Sequence, residues 1–113
     1  MNPTRWRIRL GAAAEADFAA ILRYSLTQFG PAHAERYRDS LIEALAALTA
    51  GPDIPASVAR DEILPQLRSL HVARHGRHGR HFILYRRGGD DNIDILRILH
   101  DAMDFAQHIP PHA

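Results

Sequence analysis

Cysteine and lysine are both absent from the 113 residues of this chain. Without cysteine there can be no disulfide, no thiolate metal site and no cysteine nucleophile. Without lysine, all 14 basic side chains are arginine. Arginine stays protonated at any working pH, so a general acid or base in this chain must be His, Asp, Glu or Tyr. The sequence also lacks a serine nucleophile elbow, a phosphate-binding glycine loop and an HExxH zinc motif.

Long hydrophobic runs are missing as well. The apolar runs are far too short to span a membrane, and residues 1–10 lack the apolar stretch of a signal peptide. Apolar residues make up 46% and charged residues 24% of the chain, which is the usual balance of a soluble domain with one hydrophobic core. We therefore expect a single domain over residues 1–113, located in the cytoplasm.

The first periodic segment is 5–10, in which arginines alternate strictly with large apolar residues. This pattern predicts a strand whose core face carries Trp6, Ile8 and Leu10. The opposite face carries Arg5, Arg7 and Arg9.

A helical period follows over residues 12–29, with Phe18, Ile21, Leu22 and the segment 25–29 as the buried stripe. The Gly30-Pro31 pair predicts the end of this helix and the start of another, over residues 31–50. The buried stripe of the second helix comprises Ala34, Tyr37, Leu41, Leu45 and Leu48. Because only a tight turn separates them, the two helices should form an antiparallel hairpin.

The second half of the chain predicts a sheet. Residues 51–66 indicate an ordered loop, and strands are expected at 67–73, 80–87 and 92–100, with a turn at 88–91 and a short helix at 101–108. In the last strand we expect Ile93, Ile95 and Leu99 on one face and Leu96 and Ile98 on the other, which indicates a central strand. The predicted fold is α+β, of order β-α-α-β-β-β-α. Its N-terminal strand and helical hairpin pack on a mostly antiparallel sheet.

Five short segments, taken together and in order, resemble the ParE/RelE toxin superfamily. They are AAEAD at 13–17, QFGPAHAERY at 28–37, LRSL at 67–70, FILYR at 82–86 and ILRILHDAMD at 95–104. The closing segment, with its Leu-His followed by Met-Asp, is more similar to ParE than to RelE.

The resemblance implies the toxin of a type II toxin–antitoxin system. ParE-like members poison DNA gyrase without cutting anything themselves, whereas RelE-like members are ribosome-dependent mRNA endonucleases. Both are neutralised by a cognate antitoxin, here expected to be of the ribbon-helix-helix type, whose own N-terminal part binds operator DNA. We expect a gyrase inhibitor that is not an enzyme and needs no cofactor. It should bind neither membranes nor, by itself, specific DNA sequences. The alternatives are an mRNA endonuclease and a degenerate toxin that retains only antitoxin binding.

The basic residues are the candidate contact sites. An acidic antitoxin segment could dock on Arg5, Arg7, Arg9 and Arg86, although the first three could equally form a solvated outer face. The candidates for contact with the target are Arg74, Arg77, Arg80, Arg97 and His108. Because a buried arginine needs a partner, Arg97 should pair with an acid such as Asp94 or Asp101, or else lie in a surface groove.

The Arg-His-Gly repeat over residues 74–81 is open to three interpretations. It could be a solvated hairpin, or a hairpin whose arginines contact phosphate or a partner. A metal site built from His71, His75, His78 and His81 is the third, but the adjacent arginines would repel a cation. We expect no metal.

The endonuclease alternative lacks suitable side chains. Where RelE-like toxins place catalytic residues, this chain has Phe82, Ala102 and His108, of which only His108 could transfer a proton. His100 is expected to be a hydrogen-bonded structural histidine. We therefore predict no catalytic residues.

Overall fold

The computed structural model describes residues 5–73 and 78–109. Two α-helices and five strands follow one another in the order β1, α1, α2, β2, β3, β4, β5. Their bounds are β1 Arg7–Leu10, α1 Ala12–Phe29, α2 Pro31–Ala47, β2 Val58–Ala59, β3 Leu67–His71, β4 His81–Arg87 and β5 Asn92–His100, with 3₁₀ turns at Leu48–Ala50 and Phe105–Gln107.

The strands form a single sheet in the order β1-β5-β4-β3-β2. β1 runs parallel to β5, from Arg7 opposite Asn92 to Leu10 opposite Ile95, and all the other neighbours are antiparallel. The predicted α+β fold with a mostly antiparallel sheet is therefore confirmed, and β5 is a central strand as expected. The short strand β2, within the predicted loop 51–66, was not foreseen.

Gly30 makes the tight connection between the helices. Its φ of 89° lies in the left-handed region that glycine adopts without strain, and its N–H donates to Leu26 O at 3.0 Å. Pro31 then occupies the first turn of α2, where a missing N–H costs nothing. The predicted hairpin is thus confirmed, although the last predicted turn of the second helix is the 3₁₀ segment.

The hydrophobic core lies between the hairpin and the sheet. Its fully buried residues include Leu41, Leu48, Ile83, Tyr85 and Ile95, and Phe18, Ile21 and Leu22 of α1 pack against them. The predicted stripe is wrong at its end: Ser25 is buried, but Leu26 and Phe29 are exposed. The end of α1 borders an open groove rather than the core.

A β-bulge makes the two faces of β5 differ from the prediction. Leu84 pairs with Arg97 while Tyr85 pairs with Ile95, so Leu96 has no partner on β4. The extra residue reverses the alternation beyond it. Ile98 therefore packs with Ile93 and Ile95 on the helix side, and Leu99 packs with Leu96 on the other side. The predicted faces of Ile98 and Leu99 are therefore wrong, because each residue lies on the side predicted for the other.

A smaller apolar cluster covers the other face of the sheet. Leu67, Leu84 and Leu99 are buried there beneath Leu64 and Ile109. Over residues 101–109, the only helical element is the short 3₁₀ turn, capped by a hydrogen bond from Ala106 N to Asp104 Oδ1 at 3.1 Å. The short C-terminal helix predicted at 101–108 is therefore reduced to this turn.

Neither of the described helices is both long and apolar enough to cross a bilayer.

Leu41 provides a test of this packing, because its side chain is 0% exposed between the helices and the sheet. Replacing Leu41 with Ala should lower the free energy of unfolding by about 2–5 kcal/mol, as a large-to-small change in a core does. The neighbouring Ile42 is 40% exposed, so the same replacement there should cost about 1 kcal/mol or less. Urea unfolding of both variants measures the difference, and equal losses would contradict this arrangement of the hairpin.

Candidate functional site

An apolar groove opens where the end of the helical hairpin meets the ends of β4 and β5. Its volume is about 640 Å³, and its apolar walls include Ile21, Tyr24, Phe29 and Met103. Tyr24 is 63% exposed, Phe29 62% and Met103 46%. Large apolar side chains clustered at a surface mark a binding site, since solvating them is unfavourable.

Ring-bearing side chains run along this groove from the hairpin to the sheet. Successive ring centroids are 4.6 to 6.5 Å apart, within or close to the range of favourable aromatic pairs. The rings belong, in order, to Tyr24, Phe29, His33, Tyr37, His81 and His100. The groove is therefore a preformed surface with few rotatable groups.

Tyr37 joins the hairpin to the sheet at the inner end of the groove. Its hydroxyl accepts a hydrogen bond from Arg80 N at 3.0 Å and lies 2.7 Å from Nδ1 of His81. Burial raises the pKa of Tyr37, so the hydroxyl keeps its proton, which is available for a hydrogen bond with His81. Burial, reinforced by the nearby His100, lowers the pKa of His81 to about 4. His81 is therefore neutral at physiological pH.

Asp101 organises the polar groups beside the groove. Its carboxylate accepts from Nε2 of His71 at 3.2 Å and from Nε of Arg80 at 3.3 Å. The hydrogen bond from His71, followed by that from Arg80, lowers the pKa of Asp101. A permanent negative charge thus holds the Arg80 side chain at the groove.

Arg97 is paired with Asp17, which the sequence did not predict. Nε and Nη2 of Arg97 donate to the two oxygens of Asp17 at 2.7 and 2.9 Å, and Nη1 donates to His108 O at 3.2 Å. The expected partners Asp94 and Asp101 are wrong, because Asp94 pairs with Arg9 and Asp101 with Arg80. The ion pair with Asp17 raises the pKa of Arg97.

Asp17 also completes the hydrogen bonding of the sheet. The pairing of β1 with β5 ends at Ile95, so the N–H of Ile98 has no strand partner on that side. Oδ2 of Asp17 accepts from this N–H at 2.9 Å. The carboxylate therefore stands in for a missing strand residue and ties α1 to β5.

The candidate antitoxin contacts lie on or just before the edge strand β1, except for Arg86, which lies on β4. Asp94 is opposite Arg9 on one side and Arg86 on the other, so three charged residues form a row across three strands. Arg9 binds Asp94 at 2.7 Å, and Arg7 donates to Asp90 O at 3.2 Å. Arg5 is exposed. The structure thus brings Arg9 and Arg86 together but offsets part of the basic charge with Asp94.

The candidate target contacts are dispersed. Arg80 lines the groove, whereas Arg97 is engaged by Asp17 and His108 is half-buried. Arg74 and Arg77 lie outside the described residues, as does His75 of the hypothetical metal site. Among residues 5–73 and 78–109, no group of three potential metal ligands converges.

Phe82, at one of the positions where the endonuclease alternative needs a polar group, packs into an aromatic cluster on the face opposite the helices. Its ring lies 4.6 Å from that of His71 and 5.1 Å from that of Phe105. The Arg60 guanidinium lies 5.7 Å from both phenylalanine rings, and its Nε donates to Ser69 at 2.9 Å. Sequence reasoning missed Arg60, which lies in a loop without periodicity.

The groove residues were visible in the sequence but interpreted differently. Tyr37 belongs to the predicted core stripe of α2 and does pack against the core, but its hydroxyl also reaches the groove, and His81 lies at the end of the Arg-His-Gly repeat. His100 was expected to be a hydrogen-bonded histidine, and its Nδ1 does accept from Ala102 N at 3.1 Å. Only the strand register, which aligns His81 with His100, brings these residues together.

Replacing Asp17 with Ala should lower the free energy of unfolding by about 2–4 kcal/mol, because a part-buried guanidinium and a strand N–H would lose their acceptor. Asp39, exposed on α2, is the matched control, and Asp39→Ala should change stability by no more than about 0.5 kcal/mol. Urea unfolding provides the measurement. Similar values for the two variants would show that the Asp17 hydrogen bonds contribute nothing.

The low pKa of His81 should make stability depend on pH. Above pH 6.5, the ordinary pKa, the imidazole is neutral in both the folded and the unfolded chain, and its stabilising contribution is complete. As the pH falls from 6.5 towards about 4, the unfolded chain takes up a proton that the folded chain excludes, so the free energy of unfolding decreases. His81→Gln should show a smaller decrease over this range. A His81 imidazole that titrates near 6.5 by NMR would contradict this account.

Comparison with known proteins supplies the family. The sequence model described as "ParE toxin of type II toxin-antitoxin system, parDE" matches residues 8–105. Toxin ParE1 of Mycobacterium tuberculosis is 33% identical over 103 residues, which cover 91% of this chain and 97% of the relative. Toxin ParE of Escherichia coli is 32% identical over 95 residues, which cover 84% of each chain.

Solved structures agree in fold. A chain of the structure titled "Chromosomal ParDE TA system from P. aeruginosa" matches with a TM-score of 0.70 and 23% identity, covering 87% of this chain and 98% of that one. A chain of the toxin–antitoxin complex RelBE2 from Mycobacterium tuberculosis matches with a TM-score of 0.54 and 20% identity, covering 85% and 98%. On the sequence match over most of its length, this chain belongs to the ParE toxin family of type II toxin–antitoxin systems.

Proposed function

We propose that this ParE-family toxin inhibits DNA gyrase by binding it, without catalysing a reaction, and that a cognate antitoxin neutralises it. The proposal places its action in the cytoplasm, where gyrase works on DNA. The observation that carries it is the groove, whose exposed Tyr24, Phe29 and Met103 suit a protein partner. Aromatic and methionine side chains are enriched at protein–protein interfaces.

The face opposite the helices supports a non-enzymatic role. A nuclease there would need a base, an acid and cationic groups around a phosphate. Phe82 instead packs against Phe105, and the Arg60 guanidinium is held over both rings. Arg97, the cation on β5, is neutralised by Asp17. Apolar and already paired side chains therefore lie where a nuclease would need unpaired acidic, basic and cationic groups.

The antitoxin is proposed to be of the ribbon-helix-helix type and to bind through a separate segment. The similar solved structures are titled as toxin–antitoxin systems, which favours an antitoxin as the partner. We propose that this segment occupies the groove and that the basic residues Arg5, Arg7, Arg9 and Arg86 attract it by charge. Because Arg80 lines the groove, an occupant would cover this candidate target contact. Neutralisation would then follow from direct occlusion.

A supercoiling assay tests this function. The purified toxin should inhibit supercoiling by gyrase and increase the amount of linear, protein-bound DNA, and the protein encoded beside the toxin gene should reverse both effects. Arg80→Gln should weaken inhibition about 5-fold, as expected for an interface residue contributing about 1 kcal/mol. Arg23→Gln, an exposed change on α1 outside the groove, should leave inhibition unchanged.

The same preparation separates this function from the endonuclease alternative. The toxin should produce no mRNA cleavage on translating ribosomes. Codon-specific cleavage that disappears in His108→Ala would overturn the proposal. A chain that binds its antitoxin but affects neither gyrase nor mRNA would be a degenerate toxin.

A further inference from the structure

Two histidines in the groove have their protons assigned by their neighbours. The Tyr37 hydroxyl accepts from Arg80 N, which leaves its own proton available for Nδ1 of His81, 2.7 Å away. Nδ1 of His100 accepts from Ala102 N at 3.1 Å. A neutral imidazole that accepts at Nδ1 carries its proton on Nε2. With His81 in this tautomer, both histidines offer an Nε2–H donor.

Neither donor has an acceptor among the residues that the structure describes. The hydrogen bonds of His81 and His100 involve Nδ1 alone. The nearest acid, Asp101, lies 3.6 Å from Nδ1 of His100 and is already bonded to His71 and Arg80. Both side chains are partly exposed at the groove, so these N–H groups are available to an incoming ligand.

The position of these donors suits an anion attached to an apolar group. His81 and His100 face each other across two paired strands, with ring centroids 5.4 Å apart. Arg80 adds a guanidinium, and none of the described residues that line the groove is Asp or Glu. Most of the remaining lining is apolar or aromatic, and the volume of about 640 Å³ is that of a typical ligand pocket.

We propose that this groove binds a carboxylate carried on an apolar segment, with Nε2–H of His81 and His100 and the guanidinium of Arg80 as donors. The occupant is an amphipathic helical segment of the antitoxin that inserts one Asp or Glu between these groups and packs its apolar side chains against Tyr24 and Phe29. This assignment rests on the proposed function, because it takes the antitoxin as the partner. Charge complementarity selects the occupant: the described lining of the groove supplies donors and no Asp or Glu.

A small probe tests the site without the antitoxin. Sodium 4-phenylbutyrate, titrated into the isolated toxin, should shift the imidazole NMR signals of His81 and His100. It should bind about 10-fold tighter than the neutral isostere 4-phenylbutanamide, because charge-assisted hydrogen bonds are about twice as strong as neutral ones. Equal affinities, or shifts confined to other histidines, would overturn the proposal.

His71 provides a matched control for His100. Its Nδ1 also accepts an N–H two residues ahead, from Ala73 at 3.0 Å, but its Nε2 is bonded to Asp101 and it does not line the groove. His100→Phe should therefore lose the 10-fold preference for the carboxylate, whereas His71→Phe should keep it, because Asp101 still binds Arg80. If both variants lose it, the effect comes from the turn and the assignment of the donors is wrong.

The antitoxin itself identifies the occupant. Each Asp and Glu of its toxin-binding segment is replaced by Asn or Gln, and binding to the wild-type and His100→Phe toxins is compared in double-mutant cycles. One replacement should weaken binding to the wild-type toxin about 10-fold and have little effect on the variant, as expected for a charged hydrogen bond lost from an interface. If phenylbutyrate binds but no antitoxin replacement shows such coupling, the antitoxin segment is not the occupant of the groove. If the protein encoded beside the toxin gene does not bind the toxin at all, the proposed function is wrong. The phenylbutyrate titration then still tests whether the groove binds a carboxylate.

Discussion

The carboxylate of Asp17 determines how the two layers of this protein meet. β1 is only four residues long, so β5 continues for five residues beyond its last parallel partner. Asp17 occupies the place of the missing strand, accepting from Ile98 N and holding Arg97. Without it, a backbone donor and a guanidinium would be left unsatisfied beside the core. A single side chain thus fixes where α1 crosses the sheet.

The groove follows from that crossing. With the first half of α1 held against β5, the hairpin extends past the core, and Tyr24 and Phe29 remain uncovered at its end. Tyr37 prevents the hairpin from lifting away, because its hydroxyl bonds both Arg80 and His81. Apolar walls and polar donors are therefore held in place before any partner arrives. Preorganisation of this kind reduces the entropy lost on binding.

Local patterns predicted most of the fold. Alternation over residues 5–10, the helical period of 12–29 and Gly30-Pro31 each have a local physical cause, and they yielded the elements and their order. The partner of Arg97, by contrast, is 80 residues away at Asp17, and no period links them. The groove was missed for the same reason, since His81 and His100 meet only through strand register. The helix predicted at 101–108 is present only as a single 3₁₀ turn, capped by Asp104.

The bulge at Leu96 has a consequence for comparing this toxin with its relatives. Residues two apart on a strand share a face, but the extra residue inverts that count for everything after it. His100 faces the groove only because of this inversion; in an unbulged strand it would lie with Leu96 on the opposite face. A relative that kept all of these residues but paired β4 and β5 without the bulge would turn its counterpart of His100 away from the groove. In such a chain, the composition of the binding surface would change through strand pairing alone, without any substitution at the surface itself.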